Sequence, residues 1–256
     1  MPFLDHLEEL RWRILWSLIA VAIGAVIGWF LVTRLDVLGL LIDPIRPLLD
    51  EDGKLAYLSP ADPFLVTLKL TLTTGVILAS PVVIYQVWIF LAPALLPEEK
   101  RAIVPALYFG LLLFLAGMAL SYWVALPVMF QFFAQFQQAT LEQNITIGPY
   151  MAVVVRTLLG FGLVFELPVV MLVLGVVGVV DTGMLRKGRR WAIVIITIVA
   201  SFITPGDVVI LTIFLMVPLL LLYELGIWLV RGVERRREKR MAELEEERED
   251  QWTGSS

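Results

Sequence analysis

Residues Ala102–Leu141 read AIVPALYFGLLLFLAGMALSYWVALPVMFQFFAQFQQATL, which is 40 consecutive positions without a charged side chain. An α-helix rises 1.5 Å per residue and needs about 20 residues to cross a hydrocarbon core of about 30 Å. Two more uncharged stretches cover Ile14–Val32 and Leu70–Leu96. Of the 256 residues, 59% are hydrophobic and only 17% are charged. Soluble domains do not have this composition, so the sequence predicts an all-α polytopic membrane protein.

Six membrane-spanning helices are predicted, which places both chain termini on the same side of the membrane. The segments on that side carry fifteen Lys and Arg residues, and the opposite connections carry three. Because cationic connections stay in the cytoplasm, both termini are predicted to be cytoplasmic. We therefore divide the chain into a six-span domain, residues 1–230, and a charged cytoplasmic tail, residues 231–256. The predicted spans are 14–32, 67–92, 102–134, 151–179, 190–204 and 208–230.

The last two spans are predicted to be short. Trp191–Gly206 and Val208–Tyr223 have 16 residues each, or about 24 Å of helix. Such a hairpin either thins the bilayer, leaves a water-filled recess, or gains a turn at its cytoplasmic ends. Prolines inside four spans predict kinked helices that form a curved wall. They are Pro81, Pro127, Pro168 and Pro218.

The composition excludes most enzyme chemistry. The chain has no cysteine and a single histidine, His6, so a disulfide framework, a thiolate or multi-histidine metal site and a Ser/His dyad in the bilayer are all ruled out. No nucleotide-binding P-loop pattern occurs either. We expect a protein that is not an enzyme, without cofactor, metal or nucleic-acid partner.

Glu166 is the charge that most needs an explanation. It lies in the fourth predicted span, between apolar residues and near mid-membrane depth, where a carboxylate costs several kcal/mol. Arg156 is about 15 Å away along the helix axis, so direct pairing is not expected. Glu166 either lines a polar cavity or contacts a partner, or it is a protonated acid hydrogen-bonded to a neighbouring helix.

Two acidic groups lie on the side that the positive-inside rule fills with cations. One contains Asp5, Glu8 and Glu9 before the first span, and the other contains Glu98 and Glu99 after the second. Carboxylates can hold guanidinium groups through forked hydrogen bonds. From the residues alone, the simpler explanation is favourable charge in the first turn of a helix.

Several short motifs follow one another along residues 4–230. They are HLEELRWR (6–13), SPADPF (59–64), SPVVIYQVWIFLAPAL (80–95) followed by Glu99, FELP (165–168), TPGD (204–207) and YE (223–224). In order and content they resemble the TatC family, the polytopic subunit of the twin-arginine, or Sec-independent, protein translocase. The start of the first motif and the YQVW run with its following Pro93 are specific to that family.

The resemblance implies a concave, cup-shaped receptor for folded cargo proteins that carry a twin-arginine signal peptide. By motif position, the implied signal-peptide-binding residues are Glu9, Arg11, Arg13, Phe90 and Glu99. Glu9 and Glu99 would clamp the arginine pair and Phe90 would contact the apolar part of the peptide. Arg11 and Arg13 would orient the carboxylates or anchor at lipid headgroups.

The resemblance also implies partners and a location. Glu166 would dock a polar residue of a single-span TatA- or TatB-type subunit, with Asp207 and Glu224 on the same flank. The family further implies an oligomeric receptor complex, contact with membrane lipids, transport driven by the proton-motive force, and residence in the bacterial cytoplasmic (inner) membrane. The implied structural motif on the periplasmic side is Pro60, Asp62, Pro63 and Phe64, with Asp62 where the family often has Glu.

An alternative function is a proton-coupled small-solute transporter in which Glu166 titrates within an aqueous path. The two halves of the sequence show no internal repeat, and no second intramembrane acid lies near Glu166. Many secondary transporters are built from such repeats. An intramembrane enzyme would lack a catalytic constellation altogether.

Overall fold

A computed structural model describes residues 2–49, 54–91, 103–135, 144–204 and 209–253. The predicted site residues Glu99 and Asp207 lie outside these ranges. Within them the chain is helical, apart from turns and one isolated parallel bridge between Ala56 and Thr146. The α-helices are α1 (Pro2–Arg34), α2 (Val37–Ile42), α3 (Asp62–Leu91), α4 (Ile103–Leu120), α5 (Leu126–Gln135), α6 (Ile147–Phe165), α7 (Leu167–Val177), α8 (Thr182–Lys187), α9 (Arg189–Ile203) and α10 (Val209–Thr253).

Five segments of the described chain are long and apolar enough to cross a membrane. They are Leu7–Arg34, Asp62–Phe90, Pro105–Gln135, Ile147–Val177 and Leu215–Glu243. They correspond to the first four predicted spans and to the sixth, so the all-helical membrane architecture is confirmed. The fifth predicted span forms α9, which has 15 residues, or about 22 Å of helix. It is shorter than a hydrocarbon core of about 30 Å.

The prediction of two short final helices is right for α9 and wrong for α10. Helix α10 has 45 residues and runs from the apolar segment into the charged tail without a break. The Tyr223-Glu224 pair does not end it, because the tail is rich in Arg and Glu, which favour helix. The charged tail is therefore helical as far as Thr253.

The intramembrane prolines act in two ways. Pro127 follows a π-helical turn, Ser121–Ala125, in which the Leu126 amide bonds to the Ser121 carbonyl. Pro168 coincides with the break between α6 and α7. Neither proline has an amide hydrogen, so neither can donate the backbone hydrogen bond to the residue four positions earlier that a regular α-helix contains. By contrast, α3 and α10 continue through Pro81 and Pro218.

Helices α1 and α3 approach each other at their glycines. Gly24 and Gly28, four residues apart, are buried on the α3 side while most of α1 is exposed. A Cβ atom added at Gly24 would lie 2.5 Å from the Gly75 carbonyl oxygen, and one added at Gly75 would lie 2.6 Å from the Ala25 nitrogen. Small residues four apart allow this backbone contact between membrane helices. The contact fixes the N-terminal helix against the second span.

The connection between α1 and α3 packs over helix ends. Leu41 and Ile45 are buried in a cluster with residues of α3, α5 and α6. The Tyr150 hydroxyl donates to the Leu41 carbonyl at 2.6 Å, and the Tyr122 hydroxyl donates to the Leu40 carbonyl at 2.7 Å. A second, separate cluster contains Trp88, Phe161 and Leu219 and joins α3, α6 and α10.

Candidate functional site

One hydrogen-bonded group joins the N-terminal helix to the second span. The Arg13 guanidinium donates from Nη2 to Glu9 Oε1 at 2.9 Å and from Nη1 to Gln86 Oε1 at 3.2 Å. Glu9 and Arg13 are one helical turn apart on α1, so their side chains share a face. Both are partly exposed, with side-chain exposures of 30% and 25%. The group is therefore fixed by two helices and still open to an approaching ligand.

The second helix holds its part of this group through a buried aromatic residue. Trp88 is 3% exposed and packs in the cluster shared by α3, α6 and α10. Its neighbours Tyr85 and Val87 are exposed, at 47% and 53%, because successive helical positions point in different directions. Gln86 lies between these positions and turns toward Arg13. In the YQVW run, Trp88 is therefore buried in the core, Gln86 bonds to α1, and Tyr85 and Val87 form an exposed surface.

The group keeps hydrogen-bonding capacity for a ligand. Within the described part of the chain, Glu9 makes only its bond to Arg13, whereas a carboxylate has about four acceptor positions. Arg13 Nε is buried and has no acceptor among the described residues. Arg13 therefore orients the Glu9 carboxylate without saturating it, and a second guanidinium could bind to the remaining lone pairs.

The other predicted signal-binding residues have different surroundings. Arg11 and Glu8 are exposed on α1. Phe90 is partly buried near the end of α3, four residues beyond Gln86, and therefore about one helical turn away. The structure thus places Glu9, Arg13 and Phe90 at the same end of the α1–α3 pair, while Arg11 points away to the surface.

Glu166 lies at the break between α6 and α7. Its amide donates to the Leu163 carbonyl at 3.1 Å, and its own carbonyl accepts from the amides of Val169 and Val170. The carboxylate faces Gly110 of α4, where an added Cβ would lie 2.9 Å from Oε2. Gly110 therefore leaves the space that the carboxylate occupies.

The Glu166 carboxylate has an unused atom. Oε1 is buried and accepts no hydrogen bond from any described residue. Arg156 is exposed, and no ion pair links it to Glu166 within the described chain, as predicted. Buried polar atoms are nearly always hydrogen-bonded in folded proteins. An unpaired oxygen beside a glycine is suited to accept a hydrogen bond from a group outside this chain.

Glu224 has a partner of its own. Its Oε2 accepts from Arg189 Nη2 at 2.7 Å, and both side chains are 50% exposed. The adjacent Tyr223 hydroxyl donates to the Leu185 carbonyl at 2.8 Å. These bonds tie α10 to α8 and to the start of α9. An exposed ion pair of this kind contributes about 0–1 kcal/mol to stability.

The SPADPF motif forms the turn that begins α3. Asp62 Oδ2 accepts from the amides of Leu58 at 3.0 Å and Ser59 at 2.9 Å. The shorter side chain therefore reaches the turn amides. Pro63 lies in the first turn of α3, where no amide hydrogen is needed, and Pro60 lies in the turn before it. The remaining motif residues are solvent- or lipid-facing, namely Pro60, Pro63 and Phe64.

Three residues of these sites were not predicted from the sequence. Gln86 was part of a quoted motif but had no assigned role, and nothing in the sequence distinguished Gly110 or Arg189 from similar residues. All three act across helices, at sequence separations of 73 for Gln86 and Arg13 and 35 for Arg189 and Glu224. Such pairs follow from tertiary packing, which periodicity does not encode.

Comparisons with known proteins agree with one another. The family model described as Sec-independent protein translocase protein (TatC) matches residues 5–218. The TatC protein of Azotobacter chroococcum mcd 1 is 40% identical over 239 residues, covering 93% of this chain and 92% of the relative. That of Desulforapulum autotrophicum is 38% identical over 226 residues, covering 88% and 83%. A crystal structure of the twin-arginine translocase receptor TatC is 36% identical, with a TM-score of 0.77, and the match covers 88% of this chain and 98% of that one.

Proposed function

The chain belongs to the TatC family of Sec-independent protein translocase proteins, and we propose that it binds twin-arginine signal peptides through Glu9 and Glu99. It is a non-enzymatic, multi-pass membrane component of protein translocation. In our proposal, Glu9 accepts forked hydrogen bonds from one arginine of the pair and Glu99 accepts them from the other. Phe90 and the exposed face of the YQVW run contact the apolar part of the peptide.

The observation that carries this proposal is the Glu9–Arg13–Gln86 group. It holds a carboxylate at the junction of two family motifs, with acceptor positions to spare. A pre-oriented carboxylate binds a guanidinium with less loss of side-chain entropy than a freely rotating one. Arg13 is a positioning residue in this scheme, and Arg11 lies at the surface at headgroup level.

The experiment that tests the receptor role compares two peptides. Purified protein in detergent should bind a signal peptide with an Arg-Arg pair at least about tenfold more tightly than the same peptide with Lys-Lys, a difference of about 1.4 kcal/mol. The reason is that lysine cannot make the planar, bidentate contact that arginine makes. Equal dissociation constants for the two peptides, measured by isothermal calorimetry, would contradict the proposal.

A second part of the proposal concerns partner subunits. Glu166 Oε1 is buried without a donor among the described residues, and it lies at a helix break where the chain is apolar on both sides. A polar residue of a single-span TatA- or TatB-type helix would supply the missing donor. Asp207 and Glu224 belong to the same flank by motif position.

Replacing Glu166 by alanine is expected to lower recovery of the single-span partners by severalfold while leaving signal-peptide affinity within about twofold of wild type. Interhelical hydrogen bonds in membranes contribute about 0.6–2 kcal/mol, which sets this size. Copurification from the membrane measures the first effect and calorimetry the second. Arg156→Ala, which removes an exposed charge from the same span, is the control, and Glu166→Gln should retain partial recovery. Loss of peptide binding in Glu166→Ala alone would show that the two sites are not separate.

The remaining features of the proposal follow from charge and from the family. Both termini and the tail lie in the cytoplasm of a bacterial cell, the helices form a concave cup in its inner membrane, and the receptor is oligomeric. The family implies that transport uses the proton-motive force, and no nucleotide hydrolysis is expected in this chain, whose sequence has no P-loop pattern. Family membership favours this role over the proton-coupled transporter.

A further inference from the structure

A groove lies along the part of α10 where the apolar helix becomes charged, and Leu172 of α7 also lines it. Its volume is about 370 Å³, and its walls combine apolar and cationic side chains. Leu172 forms the side contributed by α7. Trp228, Gly232 and three arginines form the side contributed by α10. None of these residues takes part in the signal-peptide or partner sites described above.

Gly232 lines this groove and leaves space in it. A Cβ atom added there would meet no atom within 4 Å. One helical turn earlier, Trp228 is 71% exposed. Tryptophan is enriched at the level of the lipid headgroups, where its ring is in apolar surroundings and its N–H is near water. The groove therefore begins at the membrane interface and extends toward the charged part of α10.

Three cations surround the opening. Arg231, Arg235 and Arg236 are all exposed, and within the described part of the chain none of them has a hydrogen bond or an ion pair. They follow Trp228 by about 4.5, 10.5 and 12 Å along the helix axis. Each headgroup layer is about 5–7 Å thick, so flexible arginine side chains at these positions can reach it. Exposed arginines at these positions can contact an anionic group at the membrane surface.

The opposite face of α10 is held in place at the same level. Glu234 accepts from the Thr182 amide at 2.7 Å and also from the Thr182 hydroxyl. Arg237 donates to the Val176 carbonyl. These bonds attach α10 to the turn between α7 and α8. The helix cannot rotate freely, so the arginines and Gly232 stay on the outward face.

We propose that this groove binds one anionic phospholipid. The phosphate contacts Arg231, Arg235 and Arg236, and an acyl chain lies along Trp228, Gly232 and Leu172. Guanidinium groups bind phosphate through paired, charge-assisted hydrogen bonds, and basic pockets between membrane helices on the cytoplasmic side suit anionic headgroups. The apolar wall favours a lipid over a free anion. Only a lipid has an acyl chain that can pack against the apolar residues of the groove.

The test measures binding of phosphatidylglycerol and phosphatidylcholine to the purified full-length protein by native mass spectrometry. Wild type should bind phosphatidylglycerol at least about fivefold more tightly than the variant R231Q/R235Q/R236Q does. Gly232→Leu, which places a side chain in the groove and keeps every charge, should weaken binding by a similar factor. Inorganic phosphate at millimolar concentration should not displace the lipid.

A matched control separates the groove from general attraction to cations. R186Q/K187Q/R190Q removes three exposed positive charges from the connection around α8, and it should bind the lipid like wild type. Three results would overturn the proposal: an equal loss in this control, unchanged binding in Gly232→Leu with normal thermal stability, or displacement of the lipid by phosphate. Equal affinity for phosphatidylcholine would overturn it as well.

Discussion

Replacing Glu9 by alanine is expected to weaken binding of a twin-arginine signal peptide by more than about tenfold, or about 1.4 kcal/mol. Glu9 is partly exposed, and Arg13 orients it through a 2.9 Å ion pair. The substitution removes the acceptor for the peptide guanidinium and leaves the Arg13 cation without its acidic partner. Both changes disfavour a cationic ligand, so the loss is larger than that of a surface charge, which is about 0–1 kcal/mol.

The neighbouring Glu8 supplies the control for this prediction. It carries the same charge one residue away, is exposed, and has no ion pair within the described chain. Glu8→Ala should change the dissociation constant by less than about threefold, or about 0.6 kcal/mol. Fluorescence anisotropy with a labelled peptide measures both variants. If Glu8→Ala and Glu9→Ala weaken binding equally, the effect is general electrostatic attraction and the proposed clamp is wrong.

Replacing Gly75 by alanine is expected to destabilise the fold by about 2–3 kcal/mol. Gly75 is buried, and the added Cβ would lie 2.6 Å from the Ala25 nitrogen and 2.7 Å from its Cα. These are backbone atoms, so relief requires that α1 and α3 move apart along their whole contact. The intrinsic preference of alanine for helix, about 1 kcal/mol over glycine, offsets only part of this cost.

A matched glycine tests whether the close contact is the cause. Gly148 is also helical, but a Cβ added there meets no atom within 4 Å. Gly148→Ala should therefore leave the melting temperature unchanged or slightly higher, while Gly75→Ala lowers it by several degrees. Thermal unfolding followed by tryptophan fluorescence in detergent makes the comparison. Equal melting temperatures for Gly75→Ala and wild type would show that the interface adapts and that backbone contact does not limit it.

Much of the helical architecture was predictable because uncharged runs of membrane length leave few alternatives. The uncharged stretch from residue 102 to 141 contains the helical segment Pro105–Gln135, and the short α9 followed from its length alone. The sequence predicted a last span over 208–230 and a separate tail, and it did not show that one helix, α10, continues through both. The Gly24 and Gly28 contact was also missed, although both glycines lie in one uncharged run, because glycine spacing alone does not identify the partner helix.

The candidate functional site was less predictable from the sequence than the helices were. Charge anomalies and family motifs singled out Glu9, Arg13 and Glu166. The groups that position them did not follow from the sequence, because Gln86 and Gly110 act across helix contacts. The break at Glu166 combines Pro168, which was predicted to kink the helix, with a carboxylate that needs space from another helix. The kink at Pro168 follows from the sequence of the helix itself. The space for the Glu166 carboxylate depends on how α4 packs against α6.

The measurement that tests the central claim most directly is a double-mutant cycle between Glu9 and the arginine pair. Dissociation constants are measured for wild type and Glu9→Ala with the Arg-Arg and Lys-Lys peptides. If Glu9 binds the pair, changing the peptide should weaken binding to wild type by about tenfold or more and to Glu9→Ala by much less, a coupling energy of about 1 kcal/mol. If both proteins lose the same factor, Glu9 and the arginines act independently, and the assignment of the clamp to this carboxylate is wrong.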